Sequence, residues 1–249
     1  MEDNKEFQKN FYNSYLKPYE GRLHHTFIIM PFARRKYYSE LTMITFNRCR
    51  ELLSCKDMNL KKFLDLIDKV NFVIKSSIDP KTGKKIPRKA WVFYITANPL
   101  NDRQALFMHQ ESINRAIKEM VLGSTNIPFK AISNYKTSLH KSPYREVVKL
   151  DIDTKDPKLI QSLKSLFIEN NIKIRYAVES RAGYHVLVPC GQDMKNLYLF
   201  AKKIKEEAKG SDPWLTIEGV SQSPHVVIPG ICQSDDWLVK QSDFFDECL

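Results

Sequence analysis

Two acidic residues two positions apart, Asp151 and Asp153, close the run REVVKLDID at 145–153. Val147, Val148, Leu150 and Ile152 around them are apolar, so the run is predicted to be a buried strand, and the i, i+2 spacing puts both carboxylates on one face. Two anions this close repel unless a cation sits between them. Mg²⁺ or Mn²⁺ suits that place, because both prefer carboxylate oxygens and keep other positions for water or phosphate. A second reading stays open, in which the acids, with Thr154 and Asp156, cap the following turn or helix. Lys149 stands two residues before Asp151 and shares its face, where it either meets phosphate or neutralises the carboxylates.

A second group lies in ESRAGYHVLV at 179–188. Ser180, Arg181 and His185 flank a short turn containing Gly183, and together they offer hydroxyl, guanidinium, backbone and imidazole donors to a phosphate. The alternative is a satisfied buried His in an ordinary hairpin.

The elements that must position these groups can be read from periodicity and punctuation. Apolar spacing predicts a helix over 58–70, and IDPKTGKKIPRK at 78–89 reads as an exposed basic loop. A buried strand is expected over 90–97, ended by Asn98-Pro99, then a helix over about 103–122 capped by Asp102 and closed by Gly123. After the strand at 145–153, Asp156-Pro157 opens a helix to about Asn170. Strands over 172–180 and 183–190 form a hairpin, a helix follows over 193–208, and WLTIEG and HVVIPG are short strands. This order from Ala90 onward predicts an α+β fold, with helices packed on one face of an RRM-like or split βαβ sheet. The first ~80 residues are expected to be mostly helical and basic. The resulting division is a basic N-terminal region over 1–89, a core over 90–240 and an acidic tail over 241–249.

A strand ending in D-x-D, then a helix, a strand, and S-x-x-G-x-H opening another strand resembles the archaeo-eukaryotic primase superfamily. That group includes primase catalytic subunits, primase-polymerases and the polymerase domains of bacterial end-joining ligases. The resemblance covers roughly residues 90 to 240. It implies template-directed, metal-dependent nucleotidyl transfer from a (d)NTP to a 3′-hydroxyl, with release of pyrophosphate. Asp151 and Asp153 match the first motif, and Ser180 and His185, with Arg181 between them, match the second. The third motif, an apolar-acid pair, is best matched by Ile217-Glu218, with Asp212 as the other candidate. Asp151, Asp153 and Glu218 would then hold two Mg²⁺ or Mn²⁺ ions, as two-metal phosphoryl transfer requires. Ser180, Arg181, His185 and Lys149 would contact the nucleotide, and Gln233 and Lys240, in a stretch similar to I-P-G-x-x-Q, would approach it. No zinc site, Walker A loop or helicase is visible in the sequence, so any replicative helicase would be a separate polypeptide.

Composition agrees with a polyanion partner. The 249 residues carry 39 Lys and Arg against 29 Asp and Glu, a net charge of +10. Arg34 and Arg35, beside Lys36, Tyr37 and Tyr38, and Lys84, Lys85 and Arg88 of the basic loop are candidates to hold a single-stranded DNA template. Hydrophobic residues at 43% and aromatics at 11% exclude wholesale disorder. No apolar run reaches the ~18 residues of a membrane span. The polar N-terminus and five widely spaced Cys without a C-x-x-C lead to the expectation of a cytoplasmic protein with reduced thiols. Two other readings fit the same residues: a metal-dependent nuclease or phosphodiesterase, and a nucleic-acid-binding module with an inactive site.

Overall fold

The structure, a computed structural model, describes residues 4–34, 37–40, 50–79, 81–122, 135–209, 211–218, 224–233 and 237–242. Helix α1 (Lys5–Phe11) starts at Asn4, whose side chain accepts from the N–H groups of Glu6 and Phe7. The chain continues through a π turn over Tyr12–Leu16 and a 3₁₀ turn over Lys17–Tyr19. Phe11, Tyr12, Tyr15 and Tyr19 along this segment are fully buried, and Phe11 and Tyr15 pack against Tyr176.

In the first ~80 residues, expected to be mostly helical, the helical segments are joined by two strands that the sequence reading did not place, β1 (His25–Ala33) and β2 (Glu51–Ser54). HTFIIMPFA is buried along nearly its whole length, so it lacks the polar alternation that marks a half-exposed strand. Strand β1 pairs antiparallel with β2 on one side and with β3 (Trp91–Thr96) on the other. β9 (His225–Val227) extends this sheet beyond β3, and β4 (Leu100–Asn101) pairs with the start of β1. α2 (Leu60–Lys75), capped by Asn59, buries Phe63, Ile67, Val70 and Ile74 at helical spacing.

The second sheet contains β5 (Val147–Ile152), β6 (Tyr176–Glu179), β7 (Tyr184–Pro189), β8 (Leu215–Glu218) and β12 (Lys240–Gln241). Its order is β12-β6-β7-β5-β8, with every neighbouring pair antiparallel. α5 (Pro157–Glu169) carries the chain from β5 to β6 with β7 inserted between them, and α6 (Lys195–Glu207) leads from β7 to β8 across β5. Asp156 caps α5 by accepting from the N–H of Lys158, and Pro157 occupies the first turn, as its sequence predicts.

Alternation along these strands builds two cores. Leu150, Ile152, Val186, Val188 and Leu215 pack with Ile160, Leu163 and Phe167 of α5 and Leu197 and Ile204 of α6. Val147, Tyr176, Val178 and Leu187 face the other way and join the core of the first sheet and α1. The strands expected in one sheet from Ala90 onward are thus divided between two, because β3 takes β1 and β9 as partners. Asn98 ties the sheets together. Its side chain is buried, accepts from the N–H groups of Glu146 at 2.9 Å and Val147 at 2.8 Å, and donates to the Val147 carbonyl at 2.7 Å.

α3 (Asp102–Val121) is capped by Asn101, whose side chain accepts from the N–H of Gln104, so Asp102 is its first residue and not its cap. Gly123 lies outside the described residues. α4 (Tyr135–His140) follows. Among the described residues no helix is long and apolar enough to cross a membrane.

Candidate active site

The charged face of β5 opens toward the first sheet. A cavity of about 190 Å³ there is lined by Phe32 and Arg34 at the end of β1, Tyr94 of β3, Lys149 and Asp151 of β5, Glu218 of β8 and His225 of β9. Antiparallel register sets Lys149 opposite Glu218, and Asp151 opposite His185 of β7. Acid, cation and imidazole from segments far apart in sequence therefore share one sheet face.

Lys149 lies at the bottom of this group. Its side chain is only 5% exposed, whereas those of Asp151 and Glu218 are 26% and 43% exposed. The ammonium lies 3.2 Å from Asp151 Oδ2 and 2.8 Å from Glu218 Oε2. Burial works against its charge, but the two carboxylates outweigh that and raise its pKa. Of the two roles open to this residue in the sequence, neutralising the acids is the one its contacts match.

His185 is committed at both ring nitrogens. Nδ1 accepts from the N–H of Val227 at 3.2 Å, which leaves the proton on Nε2, 3.2 Å from Asp151 Oδ1. Burial, reinforced by the Lys149 charge, lowers the His185 pKa and favours the neutral ring, despite the opposing pull of Asp151. The ring orients Asp151 instead of projecting toward a phosphate. Burial alone would raise the Asp151 pKa, yet the His185 hydrogen bond and the Lys149 charge hold it well below the usual carboxylate range.

The other side of the cavity is aromatic and basic. Arg34 donates to the Tyr94 hydroxyl at 2.7 Å, and Phe32 stands edge-on to Tyr94 at 5.3 Å between centroids. Arg34 Nε and His225 Nε2 are buried without a hydrogen-bond partner among the described residues. Burial lowers the pKa of His225 to about 3, with His140 and Lys149 adding to the effect. Tyr94 and His225 were not singled out by sequence. Their only signals are an inward position in WVFYIT and a His opening HVVIPG.

The remaining predicted residues are distributed around this cleft. Asp153 is exposed just beyond β5, where its charge adds to the rise in the Tyr37 phenol pKa that burial causes. Ser180 is buried in the β6–β7 turn, where its hydroxyl donates to the Gly183 carbonyl and accepts from the Gly183 N–H, both at 3.3 Å. Arg181 is exposed, 5.7 Å above the Tyr37 ring. Lys240 pairs with Glu179 at 3.2 Å on the β12–β6 edge, and so does Lys155 at 2.8 Å. Gln233 pairs through its backbone with Trp237 in a small hairpin of β10 (Cys232–Gln233) and β11 (Trp237–Leu238). Lys84 and Lys85 are exposed on the basic loop, where Lys84 pairs with Glu40 at 3.4 Å, while Arg88 lies over Phe93. Asp212 is exposed ahead of β8, and Arg35 lies outside the described residues.

Among the described residues, no group of three or more His, Cys, Asp or Glu forms a ready metal site. The donor chemistry still fits a hard divalent cation, since ionised Asp151 and partly exposed Glu218 present carboxylate oxygens at the cavity mouth. Comparison with family models, curated proteins and solved structures finds no match for this chain.

Proposed function

We propose that this chain is a metal-dependent nucleotidyltransferase of primase-polymerase type, extending a 3′-hydroxyl from (d)NTPs along a single-stranded DNA template. The observation that carries the reading is the convergence of the three sequence motifs. Asp151, His185 and Glu218 come from different strands and meet around Lys149 in one cleft. The β-α-β-β-α-β succession of the second sheet, with its inserted strands, supports an RRM-like catalytic core of the archaeo-eukaryotic primase kind. The reading places the reaction in the cytoplasm.

In this reading Asp151 and Glu218, with Asp153 nearby, would hold Mg²⁺ or Mn²⁺. A divalent cation, when bound, activates the 3′-hydroxyl and neutralises charge on the triphosphate. His185 keeps the Asp151 carboxylate oriented and ionised through its Nε2–H. Arg34 and Lys149 bring fixed positive charge to the side of the cleft where the triphosphate would lie. Phe32 and Tyr94 offer apolar surface to a base or sugar, and the Arg34 and His225 side chains add polar groups to the same cleft. Template affinity would come from the exposed lysines of the basic loop and from Arg181.

The test is template-dependent incorporation of labelled nucleotides with Mg²⁺ or Mn²⁺, with and without a primer. The double variant Asp151→Ala, Asp153→Ala should lose incorporation at least 100-fold, on the order expected when charged groups at a phosphoryl-transfer site are removed, while retaining its circular dichroism spectrum. Folded parent protein that incorporates nothing under any condition would end the proposal. One observation favours a second reading: Lys149 already neutralises both carboxylates, as an inactive nucleic-acid-binding module would tolerate. That module would bind single strands in a salt-sensitive way, with no effect of metal on nucleotide affinity.

A further inference from the structure

The two carboxylates of the cleft already share a cation that belongs to the chain. Register alone sets Lys149 beside Glu218 on the neighbouring strand, and the i, i+2 spacing sets it on the face of Asp151. Its depth separates it from an ordinary surface ion pair. The ammonium is the buried member and both acids are the more exposed ones. A lysine at the rim could swing into water when a metal arrives. This one sits on a central strand flanked by β7 and β8 with its side chain 5% exposed, so its ammonium cannot leave the two carboxylates for water without moving out of the fold. The space between Asp151 and Glu218 is therefore held by a +1 charge that a divalent ion cannot easily displace.

Charge balance agrees. Asp151, Asp153 and Glu218 carry three negative charges, and Lys149 and Arg34, which lines the same cavity, return two, so the charge left for metal suits one divalent ion better than two. Without the lysine, three carboxylates would suit the shared ligation of two ions described for two-metal sites.

We propose that Lys149 is a built-in substitute for one of the two cations, so that the cleft takes a single divalent ion beside a permanent ammonium. The proposal rests on the nucleotidyl-transfer reading only in taking Asp151 and Glu218 as the metal-holding acids. Lys149 is on this account a positioning residue that keeps the carboxylates together and supplies fixed charge toward the triphosphate.

Mn²⁺ electron paramagnetic resonance on the full chain, with a non-hydrolysable deoxynucleoside triphosphate, tests this without relying on turnover. The parent should bind a single Mn²⁺ with no magnetic coupling to a neighbour. The Lys149→Met variant should bind a second ion close by and give the broadened spectrum of a coupled pair. A coupled pair in the parent would overturn the proposal and leave nucleotidyl transfer intact, and so would an uncoupled spectrum in folded Lys149→Met. No bound Mn²⁺ in the parent would overturn both. Should Lys149→Met fail to fold, the parent spectrum decides.

Discussion

Lys149 and its two acids are unequal partners, and the inequality can be measured. Removing the lysine leaves carboxylates that water still reaches, whereas removing both acids strands an ammonium that is 5% exposed. Lys149→Met should therefore cost about 1 kcal/mol, and the double variant Asp151→Asn, Glu218→Gln about 3–5 kcal/mol, the range for an uncompensated buried charge. Urea denaturation of both variants checks the order, and equal or reversed losses would mean the ammonium reaches water. D-x-D was legible in the sequence because its acids interrupt an apolar run. Lys149 was legible as a candidate counter-ion from its i, i+2 spacing to Asp151, but its second acid was not, because that depends on Glu218 being paired opposite Lys149 across 69 positions of chain.

At the scale of elements, the β6–β7 hairpin and the end of β5 act as one piece. A methyl added at Gly183 would lie 1.8 Å from the carbonyl oxygen of Ile152, so no larger residue fits while the turn rests on that strand end. Gly183→Ala should push the hairpin away from β5, lengthen the His185–Asp151 contact and destabilise the protein by about 2–4 kcal/mol, in the range of strong core clashes. Thermal unfolding together with the His185 side-chain NMR signals would check this; an unchanged melting temperature would mean the contact is not rigid. Helix α5 was readable in advance because Asp156-Pro157 is a local stop-and-start signal. Strand β1 escaped because a run buried on both faces has no period, and its partners β2 and β3 are distant in sequence.

Across the whole molecule, a pair of histidines brought together from α4 and β9 sets a response to acid. His140 and His225 meet edge-to-face at 5.6 Å, and burial lowers their pKa values to about 4 and about 3. Their folded values lie below the ordinary 6.5, so the unfolded chain takes up protons first. The stability they permit is complete above about pH 6.5 and falls as pH drops toward those folded values. Asp151, with its depressed pKa, adds a loss only below about pH 4, where the unfolded carboxyl begins to protonate. Unfolding free energies from urea denaturation should be flat from pH 7 to 8 and fall by up to about 2 kcal/mol for each of these two half-buried His by pH 5. His225→Gln should flatten that fall, and an identical pH profile in the variant would show that other groups govern acid unfolding. The net charge of +10 and the lysines at 84 and 85 are legible without any knowledge of the fold.

By itself the sequence determined the α+β class, the start of α5, the acidic pair, the Ser and His flanking the β6–β7 turn and the basic excess, because each rests on neighbours within a few residues. Only the tertiary structure decided that β3 belongs with β1, that His185 serves Asp151, and that Lys149 fills the space between the acids. Those facts depend on strand register and sheet-to-sheet packing, which join residues whose separation along the chain carries no local signal.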